Sequence, residues 1–398
     1  MDFYRMDQVC DVNPPKDISR FKGMEVSFIQ MDAVSTTGEV DVSRTISGDG
    51  VKNYSVFQNR DVLFAKITPC MENGKGGIVD DLKNGFGAGS TEFIVIRPDE
   101  QKVTSEWIQL FLSQSSYRLD CKNHMTGSAG QKRVPPKFIA GTAIPVPSVD
   151  EQRRIVYRIE ELFSELDNSV STLQKTKEQL AVYRQASITS AYPVMTEENT
   201  KKLSEISDIT GGITKGRDLK QAETIFLPYL RVANVQNGFL DLTEIKEIEL
   251  KADEKEKYLL KKGDVLYTEG GDRDKLGRGT VWNEEIPDCV HQNHVFRARV
   301  DKSIAIPEYV AYWSMGSYAR TYFFRKGKQT VNLASINKTV LSNLELPIPD
   351  LATQEKALAE IESRLSVCDS IEHTVDTALQ QAEAMRQSIL KQAFEGRL

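Results

Sequence analysis

The sequence predicts an α/β (α+β) protein in which one plan occurs twice: two homologous modules with curved β-sheets, joined by two long antiparallel coiled-coil helices, with internal pseudo-two-fold symmetry. Three observations predict it. Residues 145–192 align without a gap on 347–394, and 12 of the 48 aligned positions are identical, against about three expected by chance. Apolar residues in both copies recur at alternating steps of three and four, the 3.5-residue period of a coiled-coil seam. The regions before each copy, 1–144 and 201–346, carry similar short runs in the same order. At 398 residues the chain exceeds one ordinary core, so several domains are expected.

The first module is assigned to 1–144. Short β-rich runs separated by Gly and Asp turns predict a curved, mostly antiparallel sheet, followed by a helical stretch at 104–119. The first long helix is assigned to 145–192. Pro147 precedes its start, Ser148 and Glu151 have capping-box spacing, and Pro or Gly is absent until Pro193. Its seam is read as Ile155, Ile159, Leu162, Leu166, Leu173, Leu180 and Tyr183.

The second module, with a short linker, occupies 193–346. Tyr229–Val235 parallels Phe28–Val34, Gly263–Tyr267 parallels Arg60–Phe64, Leu276–Val281 parallels Asn73–Ile78, and Val295–Ala298 parallels Glu92–Val95. A helical stretch is expected at 307–322. The second long helix, 347–398, repeats the first: Pro349 stands before it, and Leu358, Ile361, Leu365, Cys368, Val375, Leu379, Ala382, Ile389 and Ala393 mark its seam. Each helix spans about 60 Å at 1.5 Å per residue. Two such helices in one chain bury their stripes most simply on each other, and two-fold symmetry favours antiparallel packing.

Composition narrows the function classes. Net charge is −6, which excludes a generally basic nucleic-acid binder, although phosphate contacts need only a local basic face. No apolar run reaches the roughly 18 residues of a membrane span. The opening MDFYRMDQVCDV lacks the apolar core of a secretion signal. Cys10, Cys70, Cys121, Cys289 and Cys368 are scattered without a C-x-x-C pair. The expectation is a cytoplasmic chain with reduced thiols, and no membrane association.

Several motifs invite an enzymatic reading and fail. Asn13-Pro14-Pro15-Lys16 resembles the N-P-P-aromatic loop of adenine-N6 methyltransferases, but Lys stands where an aromatic should stack on a flipped base. GFGAG at 85–89 lacks the strand–loop–helix setting of a cofactor loop. His291 and His294 have no nearby ligand to complete a metal set and are read as surface or loop histidines. No Walker lysine, nucleophile elbow or paired nuclease carboxylates appear. The chain therefore reads as a recognition protein with no catalytic or metal site of its own.

Two sets of paired loops are the candidate contacts. Gly74-Lys75-Gly76 and Gly277-Arg278-Gly279 place a cation between glycines; small neighbours let backbone approach a ligand, and the cation suits phosphate or a guanine edge. A solvated charge in a hairpin turn is the plainer alternative. Gly130-Gln131-Lys132-Arg133 and Lys326-Gly327-Lys328-Gln329 stand near the end of each module. Gln and Arg can read bases, while Lys positions phosphates.

With these residues in place, the chain resembles the specificity subunit of type I restriction–modification systems. LRVANVQNGFLDL (230–242), GDVLYTEGG (263–271) with LGRG (276–279), and DVLFAKITPCMENGKGG (61–77) with STEF (90–93) look like that family's target-recognition domains. RQASITSAY (184–192) and RQSILKQAFEGRL (386–398) look like its helix ends. The resemblance implies that each module reads one half of a bipartite double-stranded DNA site, while the helices fix the spacing. It further implies two adenine-N6 methyltransferase subunits docked on the helices, and restriction/translocase subunits beyond them. S-adenosylmethionine, ATP and Mg would be bound by those partners and not by this chain, which would itself be non-catalytic. Base-contacting residues differ among members of that family, so the candidate DNA contacts are drawn from the paired loops: Lys66, Lys75, Gln131, Lys132 and Arg133 in the first module. In the second they are Arg231, Asn234, Arg273, Arg278, Lys326, Lys328 and Gln329. The competing readings are a protein-binding scaffold on a coiled-coil strut, and a fused methyltransferase-nuclease that the missing motifs and the size disfavour.

Overall fold

The structure is a computed structural model of residues 1–398, and it describes all of them except 129, 218, 220, 221, 272–275 and 330–333. The chain divides into two compact units, Met1–Leu173 with Thr377–Leu398, and Gln174–Asp376. Each unit takes one module together with part of both long helices.

In the first unit, Val62–Ala65 is buried on both faces and lies inside an antiparallel sheet ordered Cys10–Val12, Phe93–Pro98, Val62–Ala65, Gly76–Ile78. The two-residue side-chain period sorts its residues. Val62, Phe64, Ile94 and Ile96 face a core with Trp107, Ile108, Ile155, Ile159, Leu390 and Phe394. Leu63, Phe93 and Val95 face the opposite way, onto Ile29 and Phe57 of a second sheet. That sheet is ordered Thr45–Ser47, Glu25–Ile29, Phe86–Gly89, Ser55–Gln58, with its central pair parallel. Asp2–Arg5 pairs with Ala143–Val146, directly before the first long helix.

The second unit repeats the plan. Ser207–Gly211, Val295–Val300, Asp264–Thr268 and Gly279–Val281 form the antiparallel sheet, and Thr200–Lys202 pairs with Glu345–Pro347. Lys246–Lys251, Thr224–Leu230 and Val290–His291 form the second sheet. Each predicted helical stretch is two short helices: Ser105–Leu112 and Ser115–Asn123, then Pro307–Met315 and Ser317–Lys326.

Ladder register corrects one sequence alignment. Val62 lies opposite Ile96, and Val265 lies opposite Ala298. Phe93 therefore corresponds to Val295 and not to Phe296. A one-residue slip exchanges the two faces of a strand, and Phe296 indeed lies with the helix-side core, as Ile94 does.

The long helices run Val149–Ser190 and Leu351–Phe394. In the second unit Lys177 pairs with Asp376, Arg184 with Asp369, and Arg364 with Ser190. One number rises as the other falls, so the helices are antiparallel. In the first unit Arg386 pairs with Asp167 and stacks over Phe163, 4.3 Å from the ring centroid. Arg184 and Arg386 are equivalent in the repeat, as are Asp167 and Asp369, so each unit holds the counterpart of the other's ion pair.

Ile155, Ile159, Leu180, Leu358, Ile361 and Val375 are buried, while Leu162, Leu166, Leu173, Leu365, Leu379 and Ile389 are half-buried. Tyr183, expected in the seam, is 50% exposed. Its neighbour Arg184 takes the inward position, where it meets Asp369 and Glu372. The stripe is also wider than a strict seam: Ile188, Leu390 and Phe394 are buried against the modules.

One buried side chain fastens each helix start to its module. Gln152 accepts from the Thr104 amide (2.9 Å) and donates to the carbonyls of Lys102 (2.9 Å) and Pro147 (2.8 Å). Gln354 accepts from Ile306 (2.9 Å) and donates to Ile304 (3.0 Å) and Pro349 (2.8 Å). All three partners correspond. Trp107 Nε1 donates to the Pro145 carbonyl at 2.9 Å, and the Tyr309 hydroxyl does the same to Pro347 at 3.0 Å.

Candidate nucleic-acid interface

A buried Arg–Asp fork braces the central sheet of each module. Asp61 is 1% exposed and takes both arms of Arg97, at 2.8 and 2.7 Å, plus the Gln58 amide. Asp264, at the corresponding place, takes Arg299 at 2.8 Å twice and the Lys261 amide. Planar bidentate pairs of this kind hold a sheet end rigidly. The loops at the far end of the same strands are the candidate contact surface.

In the first module Lys66, Gln131, Lys132 and Arg133 come together there. The Val134 amide donates to the Lys66 carbonyl (2.9 Å), the Thr68 amide to Lys132 (3.0 Å), and Thr126 and Arg133 exchange both backbone bonds. Gln131 and Lys132 are exposed. Arg133 is committed internally: its guanidinium grips both carboxylate oxygens of Glu92 and the Gln131 carbonyl. The guanidinium holds the Glu92 carboxyl below its ordinary range, and this fork leaves Arg133 little capacity to read a base.

Lys75 lies elsewhere. Its half-buried ammonium donates to the Met31 carbonyl at 2.7 Å. Arg278 likewise donates to Gln236 Oε1 at 2.9 Å. The flanking glycines serve the fold and not a ligand's approach. Gly74 and Gly277 have φ of +89° and +64°, and a Cβ on Gly76 would lie 2.7 Å from the Leu63 carbonyl. Here the hairpin-turn reading prevails.

Arg231 and Asn234 also face inward. Arg231 donates to the Glu244 carbonyl and carboxylate at 2.9 and 3.1 Å. Asn234 is 3% exposed; its Oδ1 accepts from the Arg231 amide and its Nδ2 donates to the carbonyls of Asp241 and Glu244. A fully bonded amide in the core is a loop staple and reads no base. Arg273 lies outside the described residues.

Lys326 ends the helix Ser317–Lys326 and is exposed, as is Lys328. Lys328 and Gln329 pair with Ser335 and Ala334. This register overturns the expected match of 130–133 with 326–329. Ile67 bridges Arg133 as Gly270 pairs with Ser335, so Arg133 corresponds to Ser335. Thr126, opposite Arg133, corresponds to Lys328. Repeated Gly, Gln and Lys letters had aligned opposite strands of one hairpin.

Sequence reasoning missed the pair at the tip of the second module. His294 Nδ1–H donates to Glu269 Oε2 at 2.6 Å, and the Glu269 amide donates to the His294 carbonyl. Their 25-residue separation gave no local signal. His291, read as a surface histidine, is wholly buried and donates to the Val295 carbonyl at 2.7 Å. Burial pushes its pKa down to about 4. Among the described residues no group of His, Cys, Asp and Glu is placed to hold a metal ion, and no helix is long and apolar enough to cross a membrane.

Residues 1–180 and 195–381 each match the family model for the type I restriction modification DNA specificity domain. The chain is 34% identical over 204 residues to the Escherichia coli type I restriction enzyme EcoAI specificity subunit; the match covers 50% of this chain and 34% of that protein, so the chain spans about a third of that relative's length. It is similar in fold to a chain solved in work on complex assembly and conformational transition of the type I R-M system (TM-score 0.79, 18% identity, covering 100% of this chain and 98% of that one). It is also similar to the HsdS subunit from Thermoanaerobacter tengcongensis (TM-score 0.58, 18% identity, covering 100% and 97%). Two matched domains, each on the same buried scaffold and each tied to antiparallel helices, place this chain in the type I restriction modification DNA specificity domain family.

Proposed function

We propose that this chain is the sequence-reading subunit of a type I restriction–modification complex, each module reading one half of a bipartite duplex site. The observation that carries this reading is the residue-by-residue equivalence of the modules on reciprocally paired helices. Two related readers on one chain suit a target in two parts, and linkage raises the effective concentration of the second reader once the first engages. The helices set the spacing of the half-sites and offer their exposed, acidic faces to two adenine-N6 methyltransferase subunits, through which restriction/translocase subunits join in the cytoplasm. S-adenosylmethionine, ATP and Mg belong to those partners; this chain supplies recognition and no chemistry.

The test is to co-express the chain with an adenine-N6 methyltransferase subunit from the same locus and map N6-methyladenine across the host genome. The expected result is one asymmetric two-part motif with a fixed spacer. Methylation without such a motif, or none from an assembled complex, would overturn the reading.

A further inference from the structure

The two modules share their buried scaffold yet differ sharply at a partly exposed address. Register equates Glu92 with His294, Lys66 with Glu269, Arg133 with Ser335, and Thr126 with Lys328. The backbone bonds at this tip correspond as well. Lys66 N donates to Glu92 O and Val134 N to Lys66 O, at 2.9 Å each; Glu269 N donates to His294 O at 2.9 Å and Ile336 N to Glu269 O at 2.8 Å. On this common backbone the charges are rearranged. The first module has an acid between two cations, Glu92 with Lys66 and Arg133. The second has the acid on the neighbouring strand, Glu269, holding an imidazole, with Lys328 added across the hairpin. In the first module the tip borders a cleft of about 400 Å³ lined in part by Lys16, Lys66, Ser55 and Thr91.

Packing explains why Asp61–Arg97 and Asp264–Arg299 agree. It does not explain a partly exposed address where side chains differ in sign while backbone stays fixed. Readers of two different half-sites need such an address. Resting on the function proposed above, we infer that this address, Lys66, Glu92, Thr126 and Arg133 in the first module and Glu269, His294, Lys328 and Ser335 in the second, is the base-reading element of each module, with His294 and Lys328 specificity-determining in the second. His294 has a side chain 54% exposed. The Nδ1–H tautomer that the bond to Glu269 selects leaves Nε2 as the ring's acceptor, 3.4 Å from the Asn293 side-chain nitrogen Nδ2. In the major groove an acceptor matches the exocyclic amine of adenine or cytosine, while a lysine matches N7 and O6 of guanine.

The experiment uses the full chain in complex with its methyltransferase partner, with methylated-base maps and selection from randomised duplexes. Wild-type complex comes first: lack of a two-part consensus sinks the functional reading itself. Given that consensus, H294A is expected to lose preference at one position of the second half-site by roughly ten-fold or more, with the first half-site unchanged. K328T, which installs the first module's residue, alters the second half-site, and the reciprocal T126K alters the first. Thr126 and Lys328 are exposed hairpin residues, so these two variants decide the matter if H294A does not assemble. Wild-type preference in both half-sites for K328T and T126K overturns the inference while leaving the functional reading intact.

Discussion

At the residue scale, the repeated glutamines show what burial demands of an amide. Gln152 and Gln354 are themselves fully buried, and each satisfies one amide and two carbonyls where its helix meets the module. Gln152→Leu keeps the volume and strands all three groups, and is expected to destabilise the first unit by about 3 kcal/mol; urea unfolding measures it. A loss below about 0.5 kcal/mol would show that the amide is not structural. His291 gives a pH prediction of definite sign. Its folded pKa of about 4 lies below the ordinary 6.5, so the unfolded chain binds the extra proton first. The associated stability is complete above 6.5 and is lost as pH falls toward 4, by up to about 3 kcal/mol. Thermal melts between pH 7 and 4.5 should fall for wild type and stay flatter for H291N.

At the element scale, helices were the most legible feature and tips the least. The 3.5-residue spacing of Ile155, Ile159, Leu180 and their counterparts follows from burying one stripe, and burial of apolar area dominates helix packing. Tyr183 broke the pattern because a seam position can hold Arg184 when two carboxylates, Asp369 and Glu372, meet it. The candidate contacts were harder. Lys75, Arg133, Arg231 and Asn234 looked available because sequence lists polar groups without their partners, and those partners lie 41 residues away for Arg133 and 44 for Lys75. The seam also carries a prediction. In a double-mutant cycle Arg386 should couple to Asp167 by less than about 1 kcal/mol, falling with salt, because the carboxylate is largely exposed. Its coupling to Phe163 should be similar in size and survive salt, and Arg386→Lys should lose it, since the stacked plane is gone.

At the scale of the whole molecule, the proposed function makes half-site spacing a matter of helix residue count. Removing Thr172–Glu178 together with Thr374–Gln380 deletes one heptad from each helix and keeps the antiparallel register. The expected outcome is a shorter preferred spacer in the methylation map, by about 10 Å of helix rise, with both half-sites otherwise unchanged. An unaltered spacer would show that helix length does not set it.

The sequence by itself determined the doubling, the long helices, their antiparallel sense and the family, because these rest on periodicity and order along the chain. Both are written locally and survive without knowledge of contacts. Tertiary structure alone decided strand register, which residues of the polar loops are spent on the fold, and the pairing of His294 with Glu269. Those depend on hydrogen bonds between residues far apart in the chain, where a one-residue shift reverses a face and a single distant carboxylate turns a candidate reader into a brace.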